Sequence, residues 1–211
     1  MLGFSVRAQV SIGIVLALLM GMTRGYHFTP LEHLPSASWA VFFLAGVYLR
    51  SRWVFPAFLA EAALFDFAAI TWGGVDNFCV SPAYGLLLPA YGTLWFAGHW
   101  YAESHRETAT TLFPLAISVF SSAAICEVIS SGSFYFLSGR FEQTSVMEFA
   151  AQFAQYFPQP LSSLLFYVGI AAILHGRAAA FIVAHALAPD LRIDFLQEIL
   201  GFFPIGENAH Q

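Results

Sequence analysis

The chain has 211 residues, of which 58% are hydrophobic and only 10% charged, and its mean hydropathy is +0.68. Soluble domains carry about 25% charged residues, so this composition is that of an integral membrane protein with no room for a second domain beside its spans. All eight basic residues are arginine and the formal net charge is −5, which speaks against a nucleic-acid surface; two cysteines without a C-x-x-C spacing make neither a disulfide framework nor a zinc site.

Six apolar segments follow in order, at about residues 4–22, 36–49, 53–70, 83–101, 110–129 and 161–187. Most reach the ~20 residues that cross a bilayer as a helix; the second is short. The first follows Arg7 as the core of a signal peptide would. No A-x-A-type cleavage site comes after it and five further apolar runs do, so it reads as a span. Arg50-Ser51-Arg52 joins the second and third segments so tightly that they must form an antiparallel hairpin. Gly13, Ala17 and Gly21 repeat at four-residue spacing in the first segment, as do Ser118 and Ser122 in the fifth, which suits close helix packing within the bundle. The expected fold is therefore an all-α integral membrane protein of six transmembrane helices, a single membrane domain over 1–211.

Arginine placement orients it. With the N-terminus cytoplasmic, Arg7, Arg50, Arg52, Arg106, Arg177 and Arg192 lie inside and only Arg24 and Arg140 outside, in the direction of the positive-inside rule. The longer connections, at about 23–35, 71–82 and 130–160, then face outward, which puts binding apparatus on that side. Within the last of them, residues 144–157 are amphipathic. Glu148, Gln152 and Gln155 share one face and Phe149, Phe153 and Phe157 another, and Ser145-x-x-Glu148 has the form of a capping box. This stretch reads either as a lid over the outer mouth or as an interfacial helix on lipid headgroups.

The chemistry concentrates in the second outer connection, which reads TWGGVDNFCVSPAY and carries Cys79. Ser81-Pro82 is a helix start, serine capping free backbone N–H groups and proline suiting the first turn. A cysteine just ahead of a helix N-terminus is favoured as thiolate, a nucleophile and a soft metal ligand. Cys126, inside an apolar run, reads instead as a small apolar residue. An ionisable residue within a span is costly and usually functional. Asp66 lies near the outer end of the third span, with Tyr84 at the same level in the first turn of the fourth; Glu127 is near the outer end of the fifth and Glu61 near the middle of the third. His27 belongs to the first outer loop. His27, Asp66, Cys79 and Tyr84 thus converge on the outer half from separate parts of the sequence. Each has a plainer role: a solvated loop histidine, an interhelical hydrogen bond, an interface tyrosine. A disulfide between Cys79 and Cys126 is a further alternative in an oxidising compartment. A lone thiolate cannot build a zinc or iron–sulfur site, but it can supply one axial ligand to a metal already held by a macrocycle. Haem and cobalamin both fit that description.

At this point the sequence resembles a known family. Arg24-Gly25-Tyr26-His27-Phe28-Thr29-Pro30 after the first span, Asp66 in the third, and Asp76-Asn77-Phe78-Cys79-Val80-Ser81-Pro82-Ala83-Tyr84 leading into the fourth are similar to the BtuM family. These are small proteobacterial inner-membrane cobalamin transporters akin to the substrate-binding S-components of energy-coupling-factor (ECF) transporters. The resemblance covers essentially the whole chain. It implies a six-helix bundle that binds cobalamin (vitamin B12) from the periplasm, with Cys79 as axial cobalt ligand and with His27, Asp66 and Tyr84 around the corrinoid. One departure is the first helix, where an A-x-x-x-A pattern that serves docking on a shared ECF motor is replaced by Gly13-x-x-x-Ala17-x-x-x-Gly21. The family is also solitary in character, and the chain has no Walker motif. The resemblance thus leaves a motor partner unassigned and allows the chain to act alone in the lipid bilayer. A thiolate opposite the upper cobalt ligand would weaken that ligand's bond, so reductive decyanation of cyanocobalamin by Cys79 is an additional expected activity. The alternatives are a solitary S-component for another vitamin, a membrane thiol oxidoreductase using Cys79 and Cys126, and a haem-binding membrane protein.

Overall fold

Helices account for nearly all of the described backbone, and among the described residues there is no strand. The computed structural model describes residues 5–24, 34–73, 82–104 and 111–187, with side chains described as far as residue 177. Among these residues there are seven α-helices: α1 (Val6–Arg24), α2 (Ser38–Tyr48), α3 (Val54–Trp72), α4 (Leu87–Ser104), α5 (Leu112–Leu137), α6 (Val146–Tyr156) and α7 (Pro158–Leu187), with a 3-10 segment, Pro82–Leu86, leading into α4. Prolines punctuate them as their missing N–H requires. Pro56, Pro89, Pro114 and Pro158 all fall in first turns, where a backbone N–H has no intrahelical acceptor.

The chain divides into two compact units, Met1–Val168 and Gly169–Gln211. The centre of the first is α2. Although only 11 residues long, about 16 Å at 1.5 Å per residue, it is buried along nearly its whole length, with Phe42 and Phe43 fully inaccessible. It is thus an internal helix surrounded by α1, α3 and α4. Phe42 stacks on Tyr91 of α4 at a centroid distance of 4.4 Å and meets Phe55 and Phe58 of α3 edge-on. Glycine makes the α2–α4 approach possible: a Cβ on Gly46 would run into the Trp95 carbonyl oxygen, and one on Gly98 into that of Phe43. The expected hairpin forms, with Val54 N–H bonded to the Ser51 carbonyl at 3.1 Å in the turn between α2 and α3.

The small-residue repeats serve contacts inside the bundle. Ser118 Oγ donates to the Ala97 carbonyl of α4 at 2.8 Å, and a Cβ on Gly21 would lie 2.9 Å from the ring of Phe65 in α3. Large apolar side chains are meanwhile turned outward: Ile14, Leu18, Leu64, Phe67, Phe113 and Phe120 are all exposed. Among the described residues, four helices are long and apolar enough to cross a membrane: Val6–Arg24, Val54–Trp72, Leu112–Leu137 and the run Val146–Arg177 that takes in α6 and the start of α7. Apolar surface of that extent is at home against lipid rather than water, so the protein is a multi-pass membrane protein.

Two expectations need correction. The fifth apolar segment does not stop near residue 129; α5 continues to Leu137. The Ser130–Ser133 cluster, a loop signal in the sequence, bonds back along the helix instead, Ser131 Oγ to Glu127 Oε1 at 2.7 Å and Ser133 Oγ to the Ser130 carbonyl at 2.9 Å. Gly139, at φ 69°, makes the break that follows. Most of the expected outer loop 130–160 is therefore helical. Nor does the Ser145–Glu148 capping box form: Ser145 makes no side-chain cap hydrogen bond. Tyr135 Oη takes both partners, accepting from Ser145 N–H at 3.1 Å and donating to Glu148 Oε2 at 2.9 Å.

Candidate functional site

α1 and α3 end, and α2 and α4 begin, at one end of the first unit, and there the polar side chains meet. Arg24, the last residue of α1, grips Asp66 of α3 with two parallel bonds, Nε to Oδ1 at 2.7 Å and Nη2 to Oδ2 at 2.6 Å. Its remaining nitrogen, Nη1, donates to Ser38 Oγ at 2.9 Å and Tyr91 Oη at 3.3 Å. Tyr84, in the 3-10 segment, donates to Asp66 Oδ2 at 2.6 Å. One guanidinium therefore links α1, α2, α3 and α4, in the fork-to-carboxylate geometry that arginine alone supplies. The pair is partly buried, with side-chain exposures of 16% and 27%, so its charges compensate each other with limited help from solvent. Both oxygens of Asp66 are occupied by these donors. Its role in this arrangement is to hold Arg24 and Tyr84 in position, while the Tyr84 oxygen keeps lone pairs for another donor.

This network forms one side of a cavity of about 460 Å³. Arg24, Asp66, Ala83, Tyr84 and Leu87 line that side; Glu127, Ser130, Ser131, Phe134 and Tyr135 of α5 line another; Phe149, Gln152, Phe153 and Tyr156 of α6 close a third. The volume lies in the range of small-molecule sites, about 300–1,000 Å³, and an apolar lining with a few convergent polar groups is their usual chemistry. The amphipathic helix expected at 144–157 forms as α6 and lies against the cavity. Phe149 packs on Tyr135 and Phe136 with centroids 5.9 and 5.5 Å away, and Gln152 shares the cavity side with the phenylalanines rather than facing away from them.

Of the four residues singled out in the sequence, Asp66 and Tyr84 are brought into direct contact. His27 and Cys79 lie outside the described residues. Cys126 is a free cysteine, fully buried in α5. Among the described residues no three histidine, cysteine, aspartate or glutamate side chains gather in a metal-binding group. Sequence reasoning did not assign Arg24 to the site: it counted there as an outer-side charge and as the first residue of a motif, not as a partner of Asp66. The signal was available: a carboxylate inside a span needs a partner, and Arg24 ends the span that precedes it. Tyr135 was also missed, since a tyrosine among serines and phenylalanines carries no spacing that marks it. No protein-family model matches the sequence, and no curated protein matches it.

Proposed function

We propose that the chain is a solitary, ECF S-component-like carrier that takes cobalamin up across the inner membrane of a proteobacterium, with the corrinoid entering from the periplasmic side. The observation that carries this reading is the contact between Asp66 and Tyr84 at the cavity wall. Both belong to the motifs that resemble the BtuM family, and they come from separate elements. Ala83 and Tyr84 line the cavity only four and five positions after Cys79 in the sequence. Cys79 is the axial cobalt ligand in this account, with His27 beside the corrin. Asp66, held by Arg24, sets the position of Tyr84, whose oxygen accepts from the substrate. The aromatic side formed by α6 covers the apolar part of the ring.

When cyanocobalamin is bound, the Cys79 thiolate donates electron density to cobalt(III) from the side opposite the cyanide. Two molecules of an added thiol reductant give one electron to each of two bound cobalt(III) centres and pair as a disulfide, while each cyanide leaves with its bonding pair and takes up a thiol proton as hydrogen cyanide. Cys79 is the residue that promotes this loss.

Uptake is tested in a bacterium that needs external cobalamin for growth and lacks its own inner-membrane importer for it. Expression of the chain restores growth on limiting cyanocobalamin and accumulation of labelled vitamin; accumulation no higher than with empty vector contradicts the reading. A second reading has one observation in its favour. A cavity of about 460 Å³ is smaller than a whole cobalamin and accommodates a smaller vitamin entirely. In that case a smaller vitamin, and no corrinoid, co-purifies with the protein and is identified by mass spectrometry. A thiol oxidoreductase has less support, because the fully buried Cys126 offers no accessible second thiol.

A further inference from the structure

Glu127 is a buried acid with no role in the network around Arg24. It lies in α5, is 7% exposed and contributes to the cavity lining. Its Oε1 accepts from Ser131 Oγ, one turn further along the helix, at 2.7 Å. Its Oε2 has no hydrogen-bond partner among the described residues. Among the described residues no ion pair involves Glu127. Arg24, the one cationic residue among the described residues that line the cavity, directs Nε and Nη2 to Asp66. A carboxylate oxygen withdrawn from water within a membrane helix is costly unless something supplies a donor, and Glu127 is one of the residues lining the cavity.

Ser131 narrows the chemistry of that donor. Its hydroxyl gives its single hydrogen to Glu127, so toward a ligand its oxygen can only accept. Glu127 and Ser131 thus present two acceptors one helical turn apart, both on the cavity wall. The group complementary to two neighbouring acceptors is an –NH2 with two N–H donors, and a neutral primary amide supplies one. We propose that Glu127 and Ser131 form a subsite for a primary carboxamide of the substrate. This deepens the cobalamin reading and rests on it: the amide is one of the side chains at the corrin edge. A carboxylate in the same place would bring a second anion beside Glu127 and offer no donor, so the subsite distinguishes amide from acid.

The test compares binding of cyanocobalamin with that of its monocarboxylates, in which one side-chain amide at a time has been hydrolysed, to the purified full chain in detergent at neutral pH. For one isomer the wild-type protein binds the acid roughly ten- to hundred-fold more weakly than the amide, the scale of a lost hydrogen bond to a charged group. Glu127→Gln removes the charge and adds an N–H donor, and it abolishes most of that discrimination. The comparison on wild-type protein alone already decides the matter should the variant fail to fold: every monocarboxylate binding as tightly as cyanocobalamin overturns the subsite. Discrimination that persists unchanged in Glu127→Gln overturns it too, since another group is then responsible. Failure of the wild type to bind cyanocobalamin itself is a different result. It sinks the cobalamin reading and this subsite with it.

Discussion

At the scale of single residues, Arg24 makes four side-chain hydrogen bonds to three other elements. Its bidentate grip on Asp66 and its bonds to Ser38 and Tyr91 join four helices at one point. Removing one partner of such a pair leaves an orphaned charge in a partly buried site, whereas removing both does not. Arg24→Met therefore costs about 3 kcal/mol, read as a lower thermal-unfolding midpoint in detergent, and Arg24→Met/Asp66→Leu recovers most of the loss. A double variant as unstable as the single one would mean that the arginine stem, and not its charge, carries the effect. Asp66 and Tyr84 were legible in the sequence because an acid within a span and a tyrosine in the facing first turn must lie at one depth. Arg24 was not, because an arginine at a span's end reads equally as an interface residue, and only the fold says which way its fork turns.

Among the elements, the α2–α4 contact has the least slack. Gly98→Ala puts a methyl group against the Phe43 carbonyl oxygen and 3.1 Å from the Val47 nitrogen. Backbone cannot move aside as a side-chain tip can, so the helices separate at a cost of roughly 1–3 kcal/mol. Gly169→Ala in α7 meets nothing within 4 Å and is neutral or stabilising, by up to about 1 kcal/mol from helix propensity. Thermal stability of the two purified variants checks the contrast; equal stability would remove the close approach as a structural determinant. Apolar run length gave the spans of α1 and α3 well. It located α2 but not its surroundings, because a run of 14 apolar or small residues at 36–49 looks alike whether lipid or protein surrounds it. It also ended α5 too early, since the Ser130–Ser133 cluster that signals a loop satisfies its hydroxyls within the helix instead. The amphipathic stretch at 144–157 was recognised as a helix from its periodicity, but the partner of Glu148 was not, because Tyr135 belongs to a different element.

Across the described residues, many large apolar side chains are displayed outward around a buried centre at α2, and Arg24, Asp66, Tyr84 and Glu127 line a cavity in the first unit. That distribution suits a protein whose solvent is lipid. The central claim is that the ligand is cobalamin and that Cys79 binds its cobalt. The visible absorption spectrum of protein purified with cyanocobalamin, beside that of Cys79→Ser, tests it most directly. Thiolate ligation predicts corrin bands displaced from those of free cyanocobalamin in the wild type, and a return to the free spectrum or loss of the corrinoid in the variant. Retained binding with identical spectra in both proteins would contradict the cysteine ligand, and absence of corrinoid from both would contradict cobalamin as the ligand.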